Sequence, residues 1–143
     1  MIGYLDTSAF VPLLVAEPGS GACRRFWDDA DAVVSNRLLY VESAAALAQA
    51  HRMDRLTDRQ QAQASELLLR LWAEMEVVEV DQPLVEAAAA VARKLALRGY
   101  DAVHCVSAEQ LMDDDLVAAS GDRRLLAAWH ELGVATYDVN RPA

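Results

Sequence analysis

The sequence predicts an α/β fold, a three-layer sandwich in which helices cover a five-stranded, mainly parallel sheet. Five short runs of apolar and strand-forming residues are separated, along most of the chain, by segments with apolar residues at helical spacing. Short strands separated by helices imply a parallel sheet that is covered on both faces. A chain of 143 residues is long enough for one such unit, so a single domain spanning residues 1–143 is expected.

The predicted elements follow one another with few long loops. Strands are expected at residues 2–5, 32–35, 76–80, 116–119 and 134–137. Helices are expected at residues 9–14, 21–30, 38–53, 57–75, 84–97, 100–111 and 123–132. Thr7 and Ser8 are good capping types for the first helix, and Asp81 followed by Pro83 opens the fifth. The helix at 38–53 is apolar almost all round in its first three turns, which predicts that it is mostly buried.

Charge and composition narrow the class of protein. The formal net charge of −9 argues against binding nucleic acid through a broad basic surface. It does not exclude a nuclease, because a bound metal ion reverses the sign of the local charge. Cys23 and Cys105 have no metal-type spacing and are expected to be packing residues. Neither a membrane span nor a secretory signal is indicated, so a cytoplasmic location is expected.

Four acidic residues are predicted to meet at one edge of the sheet. Asp6 follows the first strand directly, and Asp122 follows the fourth. Asp101 opens a helix, while Glu42 is expected in the second turn of the helix that follows the second strand. Because parallel strands end at the same edge, where open α/β sheets bind ligands, these four carboxylates are expected to converge.

Each acid also has a simpler explanation when it is taken singly. Asp101 and Asp122 could be plain helix N-caps, and Asp6 could satisfy backbone amides in a turn. Glu42 is harder to explain, because its neighbours are apolar and no basic residue lies one helical turn away. Its partner must come from elsewhere in the chain or be an ion.

Clustered carboxylates need protons or a cation. Two unit charges about 4 Å apart repel by roughly 4 kcal/mol at an effective dielectric constant near 20. Either the acids share protons, or a divalent cation lies among them. Oxygen ligands suit Mg²⁺ or Mn²⁺, and the matching chemistry is metal-dependent phosphodiester hydrolysis.

Four sequence strings share their order and spacing with the motifs of a known family: YLDTSAF, YVESAAAL, LRGYDAVHCVSA and AASGDRRLLAA. In these strings, and over its whole length, the chain resembles PIN-domain ribonucleases, and most closely the VapC toxins of bacterial toxin-antitoxin pairs. The resemblance implies a PIN-like fold and a Mg²⁺- or Mn²⁺-dependent endoribonuclease that is blocked by a cognate VapB-like antitoxin. It makes Asp6, Glu42, Asp101 and Asp122 the catalytic, metal-binding quartet, with Ser8 and Ser120 as nearby polar groups.

Further residues are candidates for substrate or supporting roles. Thr7 and Ser8 are expected to be the immediate polar surroundings of Asp6. Arg123 and Arg124 could lie near the RNA backbone, or could simply face solvent. His104 shares a helix face with Asp101, but a packing role is the better interpretation for a lone histidine.

Partner surfaces and rival functions remain open at this stage. The apolar helix face formed by Leu67, Leu68, Leu71, Trp72 and Met75 is expected to be mostly core. Part of it, with Leu38 and Leu39, could form a groove for an antitoxin helix or a homodimer surface. The alternatives to a nuclease are a non-catalytic binding module of the same fold and a receiver-like phosphoacceptor. The latter would need a lysine near the end of its last strand, whereas Lys94, the lone lysine, lies within a predicted helix.

Overall fold

The sheet is five-stranded and entirely parallel, as the sequence predicts. The computed structural model describes residues 1–141, so the last two residues of the expected domain lie outside the described part. The strands are β1 (Ile2–Leu5), β2 (Ala32–Asn36), β3 (Glu76–Val78), β4 (Leu116–Ser120) and β5 (Thr136–Asp138). Their spatial order is β3-β2-β1-β4-β5. The third strand is shorter than expected, and the fifth begins two residues later than expected.

The helices form two layers, one on each face of the sheet. They are α1 (Thr7–Phe10), α2 (Ser20–Asp29), α3 (Leu39–Arg52), α4 (Asp58–Glu74), α5 (Gln82–Leu95), α6 (Gly99–Glu109) and α7 (Arg123–Glu131), with a 3-10 turn at Val11–Leu13. Because side chains alternate along a strand, Leu5 packs into the core beneath α1 to α4 and Tyr4 into the core beneath α5 to α7. The three-layer prediction is therefore confirmed.

The first helix is shorter than predicted and is capped by a different residue. The Asp6 carboxylate, rather than Thr7 or Ser8, accepts a hydrogen bond from the Ala9 amide and caps α1. The capping acid is thus fixed at the carboxyl end of β1, the central strand. The chain builds outward from β1 through β2 to β3, then crosses to β4 on the other side. Asp6 therefore lies at the point where the strand order reverses, which is the usual ligand-binding position in such sheets.

The expectation that the third helix is mostly buried was wrong. Within α3 only Leu39, Ser43 and Leu47 are buried, and Val41 is 56% exposed. The helix packs through one face against α4 and the core, so the apolar residues on its other face stay at the surface. Apolar composition alone does not distinguish a buried helix from one that presents an apolar surface to a partner.

No helix among residues 1–141 is both long enough and apolar enough to cross a membrane.

Candidate active site

A pocket of about 410 Å³ opens at the carboxyl edge of the sheet and contains all four predicted acids. Its lining comes from the residue after β1, from α1 and the 3-10 turn, from the loop before α2, from α3 and from the starts of α6 and α7. The residues are Asp6, Thr7, Ser8, Val11, Glu17, Glu42, Ala46, Arg98, Asp101, His104 and Asp122. Segments that are far apart in sequence therefore bring the four predicted carboxylates, and that of Glu17, to one cavity.

Asp6 is the most deeply buried of the four, with only 3% of its surface exposed. No basic side chain forms an ion pair with it within the described part of the chain. Burial raises the pKa of Asp6 above its usual value, while hydrogen bonds from the hydroxyls of Ser120 and Ser8 and from the Ala9 amide oppose the rise. A buried carboxylate without a cation is unfavourable for folding, so its presence calls for an explanation outside the core.

Two serines hold the Asp6 carboxylate to the loop after β4. The Ser8 hydroxyl donates to Asp6 Oδ1 at 2.8 Å, and the Ser120 hydroxyl donates to Oδ2 at 2.7 Å. The backbone amide of Gly121 in turn donates to Ser8 Oγ at 2.7 Å, and that of Asp122 donates to Ser120 Oγ at 2.9 Å. These contacts fix the distance between the ends of β1 and β4, and so the placement of Asp6 relative to Asp122.

Glu42 is held by a histidine. It lies in the first turn of α3, one turn earlier than expected, and its side chain is 18% exposed. His104 Nε2 lies 2.8 Å from Glu42 Oε1. The partner that the sequence could not identify is therefore His104 on α6, a residue for which the packing interpretation was preferred. His104 is buried, as that interpretation requires, but it also contacts the site.

Asp101 and Asp122 share an arginine. Arg98 Nε donates to Asp101 Oδ2 at 3.1 Å, and Arg98 Nη2 lies 3.5 Å from Asp122 Oδ2. Asp101 lies in the first turn of α6 and does not cap it, because Arg98 occupies the N-cap position. Asp122 does cap α7, accepting from the amides of Arg124 and Leu125. Capping thus accounts for one oxygen of Asp122 but for neither oxygen of Asp101.

The remaining candidate residues differ in whether they line the pocket. Thr7 lines the pocket and lies 3.4 Å from His104 Nε2, not against Asp6. Arg123 and Arg124 are exposed and do not line the pocket. The arginine that does is Arg98, which sequence reasoning missed although it lies three residues before Asp101, one helical turn away.

The donor set fits a hard divalent cation. Its accessible ligands are carboxylate oxygens, which Mg²⁺ and Mn²⁺ prefer. Within residues 1–141 no three acidic, histidine or cysteine side chains already share a metal-binding geometry. Asp101 and Asp122 are held by Arg98, and Glu42 contacts His104 through Oε1. The four predicted carboxylates therefore line a common pocket, and each is held by a partner from the chain itself.

Comparison with known proteins identifies the fold and its family. The family model described as PIN domain matches residues 3–128. The chain therefore belongs to the PIN-domain family. Over 130 residues it is 44% identical to ribonuclease VapC49 of Mycobacterium tuberculosis strain H37Rv, a match that covers 91% of this chain and 90% of that protein. PIN-domain VapC ribonucleases generally depend on a divalent metal.

Solved structures give the same fold. The protein PAE2754 from Pyrobaculum aerophilum matches with a TM-score of 0.68 and 27% identity, covering 98% of this chain and 93% of that one. A member of the VapBC family of toxin-antitoxin systems, VapBC-5 from Mycobacterium tuberculosis, matches with a TM-score of 0.64 and 20% identity, covering 96% of this chain and 98% of that one.

Proposed function

We propose that this protein is a divalent-metal-dependent endoribonuclease that acts as the toxin of a toxin-antitoxin pair in the cytoplasm. The observation that carries the proposal is the convergence of Asp6, Glu42, Asp101 and Asp122 on one pocket, with Asp6 buried and without a cationic partner among residues 1–141. The 44% identity to a protein named as a ribonuclease supports RNA as the substrate.

The four carboxylates would hold one or two Mg²⁺ or Mn²⁺ ions. A divalent cation in such a site polarises water and the scissile phosphate for hydrolysis. Asp6 is fixed by Ser8 and Ser120, so its orientation is set before any ligand arrives. Asp101 and Asp122 are held by an arginine that is 78% exposed, so these two acids can exchange that partner for a cation at little cost.

Arg98 is the residue we expect to contact the RNA backbone. Once a metal ion neutralises Asp101 and Asp122, the guanidinium at the rim of the pocket is free to bind a phosphate in a bidentate manner. With a net charge of −9 the protein cannot attract RNA over its whole surface, so recognition depends on such local contacts. Single-stranded RNA, whose backbone and bases can adapt to a small pocket, is the expected substrate.

The test is cleavage of single-stranded RNA by the purified protein with Mg²⁺, with Mn²⁺ and with EDTA. We expect cleavage with either metal and none with EDTA. Glu42→Gln should lose cleavage, whereas Glu79→Gln, on an exposed glutamate that pairs with Arg37 and does not line the pocket, should retain it. Metal binding without cleavage of any RNA would favour the non-catalytic binding module instead.

An antitoxin helix is expected to occupy a groove of about 610 Å³ beside α4. Leu14, Val15, Leu56, Ala64 and Leu67 form its apolar part, and Arg55, Arg70, Glu17 and Glu66 supply charges of both signs. Such a lining suits one face of an amphipathic helix. The groove also reaches Glu17, which lines the acidic pocket, so its occupant can extend to the site. Leu67→Glu should therefore prevent inhibition by the cognate antitoxin without reducing cleavage.

Self-association is expected through a second groove, of about 740 Å³, between the start of α3 and helices α5 and α6. Leu38 contributes to it, whereas Leu39 is fully buried and does not. Three small residues of α5 line the groove, Ala88, Ala89 and Ala92, with Val85 beside them. A face of small apolar residues allows two helices to approach closely, which favours a second copy of the chain as the occupant. Ala89→Glu should convert a dimer to a monomer in light-scattering measurements.

A further inference from the structure

His104 lies at the centre of a buried polar cluster behind the acidic pocket. Only 2% of its surface is exposed. Its Nδ1 lies 2.8 Å from the Tyr4 hydroxyl and 3.3 Å from Asn36 Nδ2, and its Nε2 lies 2.8 Å from Glu42 Oε1. The imidazole therefore connects β1 and β2 to the one acid of the quartet that α3 supplies. The inference drawn from this cluster rests on the proposed function.

The orientation of the Asn36 amide is fixed by its other contacts. Its Oδ1 accepts a hydrogen bond from the Leu38 amide at 3.0 Å, so its Nδ2 must face the cluster. One Nδ2 hydrogen has Ser107 Oγ as its acceptor at 3.3 Å, because the Ser107 hydroxyl donates its own proton to the Val103 carbonyl at 2.6 Å. The second hydrogen of Nδ2 is then left for His104 Nδ1.

This arrangement selects one form of the imidazole. A ring nitrogen that receives a hydrogen bond must carry a lone pair, so Nδ1 is unprotonated and the proton resides on Nε2. The Tyr4 hydroxyl, which burial keeps protonated by raising its pKa, lies 2.8 Å from the same nitrogen and can donate to it. With two donors at Nδ1, the neutral tautomer with Nε2–H is the one that fits.

We propose that His104 is a positioning residue that orients Glu42 through a hydrogen bond from its Nε2–H to Oε1. Within residues 1–141 the other carboxylate oxygen, Oε2, has no hydrogen bond, so it is available to a cation. The tautomer imposed by Tyr4 and Asn36 is what makes Nε2 a donor rather than an acceptor. An Nε2 without its proton would instead repel the carboxylate.

A role in packing alone would require different properties of the side chain at position 104. Packing requires only a side chain of suitable shape, whereas the positioning role requires a donor at the place of Nε2. Hydrogen-bond partners that orient metal ligands typically change metal affinity by about 10- to 100-fold when they are removed. The two roles can therefore be separated by substitutions that keep or remove the donor.

The experiment compares Mn²⁺ binding to the protein without RNA, measured by electron paramagnetic resonance of free Mn²⁺. His104→Leu, which removes the donor, should weaken binding about 10- to 100-fold. His104→Gln, whose side-chain amide can donate from a position close to that of Nε2, should bind within a few-fold of the wild-type protein. His51→Leu, on a histidine that pairs with Asp58 at the surface, is the matched control and should bind as the wild type does.

A second measurement does not depend on whether the variants fold. Nitrogen-15 spectra of the imidazoles of the wild-type protein should show His104 protonated at Nε2 and unprotonated at Nδ1. A proton on Nδ1, or wild-type Mn²⁺ affinity in folded His104→Leu, would overturn the positioning role alone. A wild-type protein that binds no Mn²⁺ would overturn the proposed function as well.

Discussion

The two edges of the sheet both carry acidic residues, but in opposite surroundings. At the amino edge, Asp31 and Asp115 are 83% and 64% exposed and both pair with the N-terminal ammonium group of Met1. At the carboxyl edge, Asp6 is 3% exposed and is held by two serine hydroxyls, with no cation in contact among the described residues. The amino-edge acids are thus solvated and neutralised by the chain itself, whereas Asp6 is neither.

We interpret this difference as a loss of stability at the carboxyl edge that a ligand site there would explain. The exposed acids at the amino edge are typical of solvated loops, and their ion pairs contribute little to folding. Asp6 costs stability because it is desolvated, and the fold retains it at the position where open α/β sheets bind ligands. A buried acid that has no cationic partner among the described residues points to a cation from outside the chain.

The largest expected effect separates the two edges by activity. Asp101→Asn or Asp122→Asn should reduce RNA cleavage by at least about 100-fold, since the stabilisation supplied by a bound metal is worth several kcal/mol. Asp115→Asn at the amino edge is the control and should cleave normally. Initial rates with Mg²⁺ in excess measure this, and equal rates for all three variants would remove the distinction between the edges.

A smaller effect is expected from the arginine that bridges two of the site acids. Arg98→Ala should raise KM for RNA by about tenfold, because one charge-assisted contact to phosphate is lost. The same change should strengthen Mn²⁺ binding, since a positive charge that competes for Asp101 and Asp122 is removed. A higher KM for RNA together with stronger Mn²⁺ binding distinguishes the loss of a substrate contact from damage to the metal site.

The control for that variant is Arg124→Ala, which changes an exposed arginine outside the pocket. It should leave both KM and Mn²⁺ affinity close to the wild-type values. If Arg124→Ala raised KM as much as Arg98→Ala, RNA recognition would depend on overall charge and not on the pocket.

Without metal, replacing one acid at each edge should change the unfolding temperature by a few degrees at most and in opposite directions. Burial raises the pKa of Asp6 in the folded state, so the folded protein loses stability as the pH rises through the ordinary aspartate value and then through the raised one. Asp6→Asn should therefore unfold at a higher temperature than the wild type at pH 7. That gain should disappear as the pH falls below the ordinary aspartate range.

The smallest change in unfolding temperature is expected when Asp31 is replaced. Its hydrogen bond to the N-terminal ammonium lowers the pKa of its carboxyl, so its contribution is present above the ordinary aspartate pKa and is lost as the pH falls through the folded-state value. Asp31→Asn should lower the unfolding temperature by less than about 2 °C at pH 7. The difference should vanish at high salt, because exposed charges are screened.

The sequence predicted the fold better than it predicted the contacts within the site. Strands and helices follow from apolar periodicity, and the edge at which Asp6 and Asp122 meet follows from strand direction. The pairing of Glu42 with His104 joins residues 62 positions apart. No local pattern contains such a pair, because it depends on how α3 and α6 pack.

One sequence-based expectation failed because it treated residue type as if it were environment. The helix at residues 38–53 was expected to be mostly buried, but α3 presents Val41 to solvent. Arg123 and Arg124 were candidates because they adjoin Asp122 in sequence. They are exposed and do not line the pocket, as the solvent-facing alternative predicts, whereas Arg98 from another segment lines it. Spacing identified the acids, but only the packing of helices identified their partners.

The central claim is that Asp6 is a metal ligand, and Mn²⁺ binding to the isolated protein tests it most directly. Wild-type protein and the variants Asp6→Asn and Asp31→Asn would be titrated with Mn²⁺ in the absence of RNA, after circular dichroism has shown that all three are folded. We predict that Asp31→Asn binds as the wild type does and that Asp6→Asn binds at least about tenfold more weakly, because a charged ligand is lost. Wild-type Mn²⁺ affinity in folded Asp6→Asn would contradict the claim.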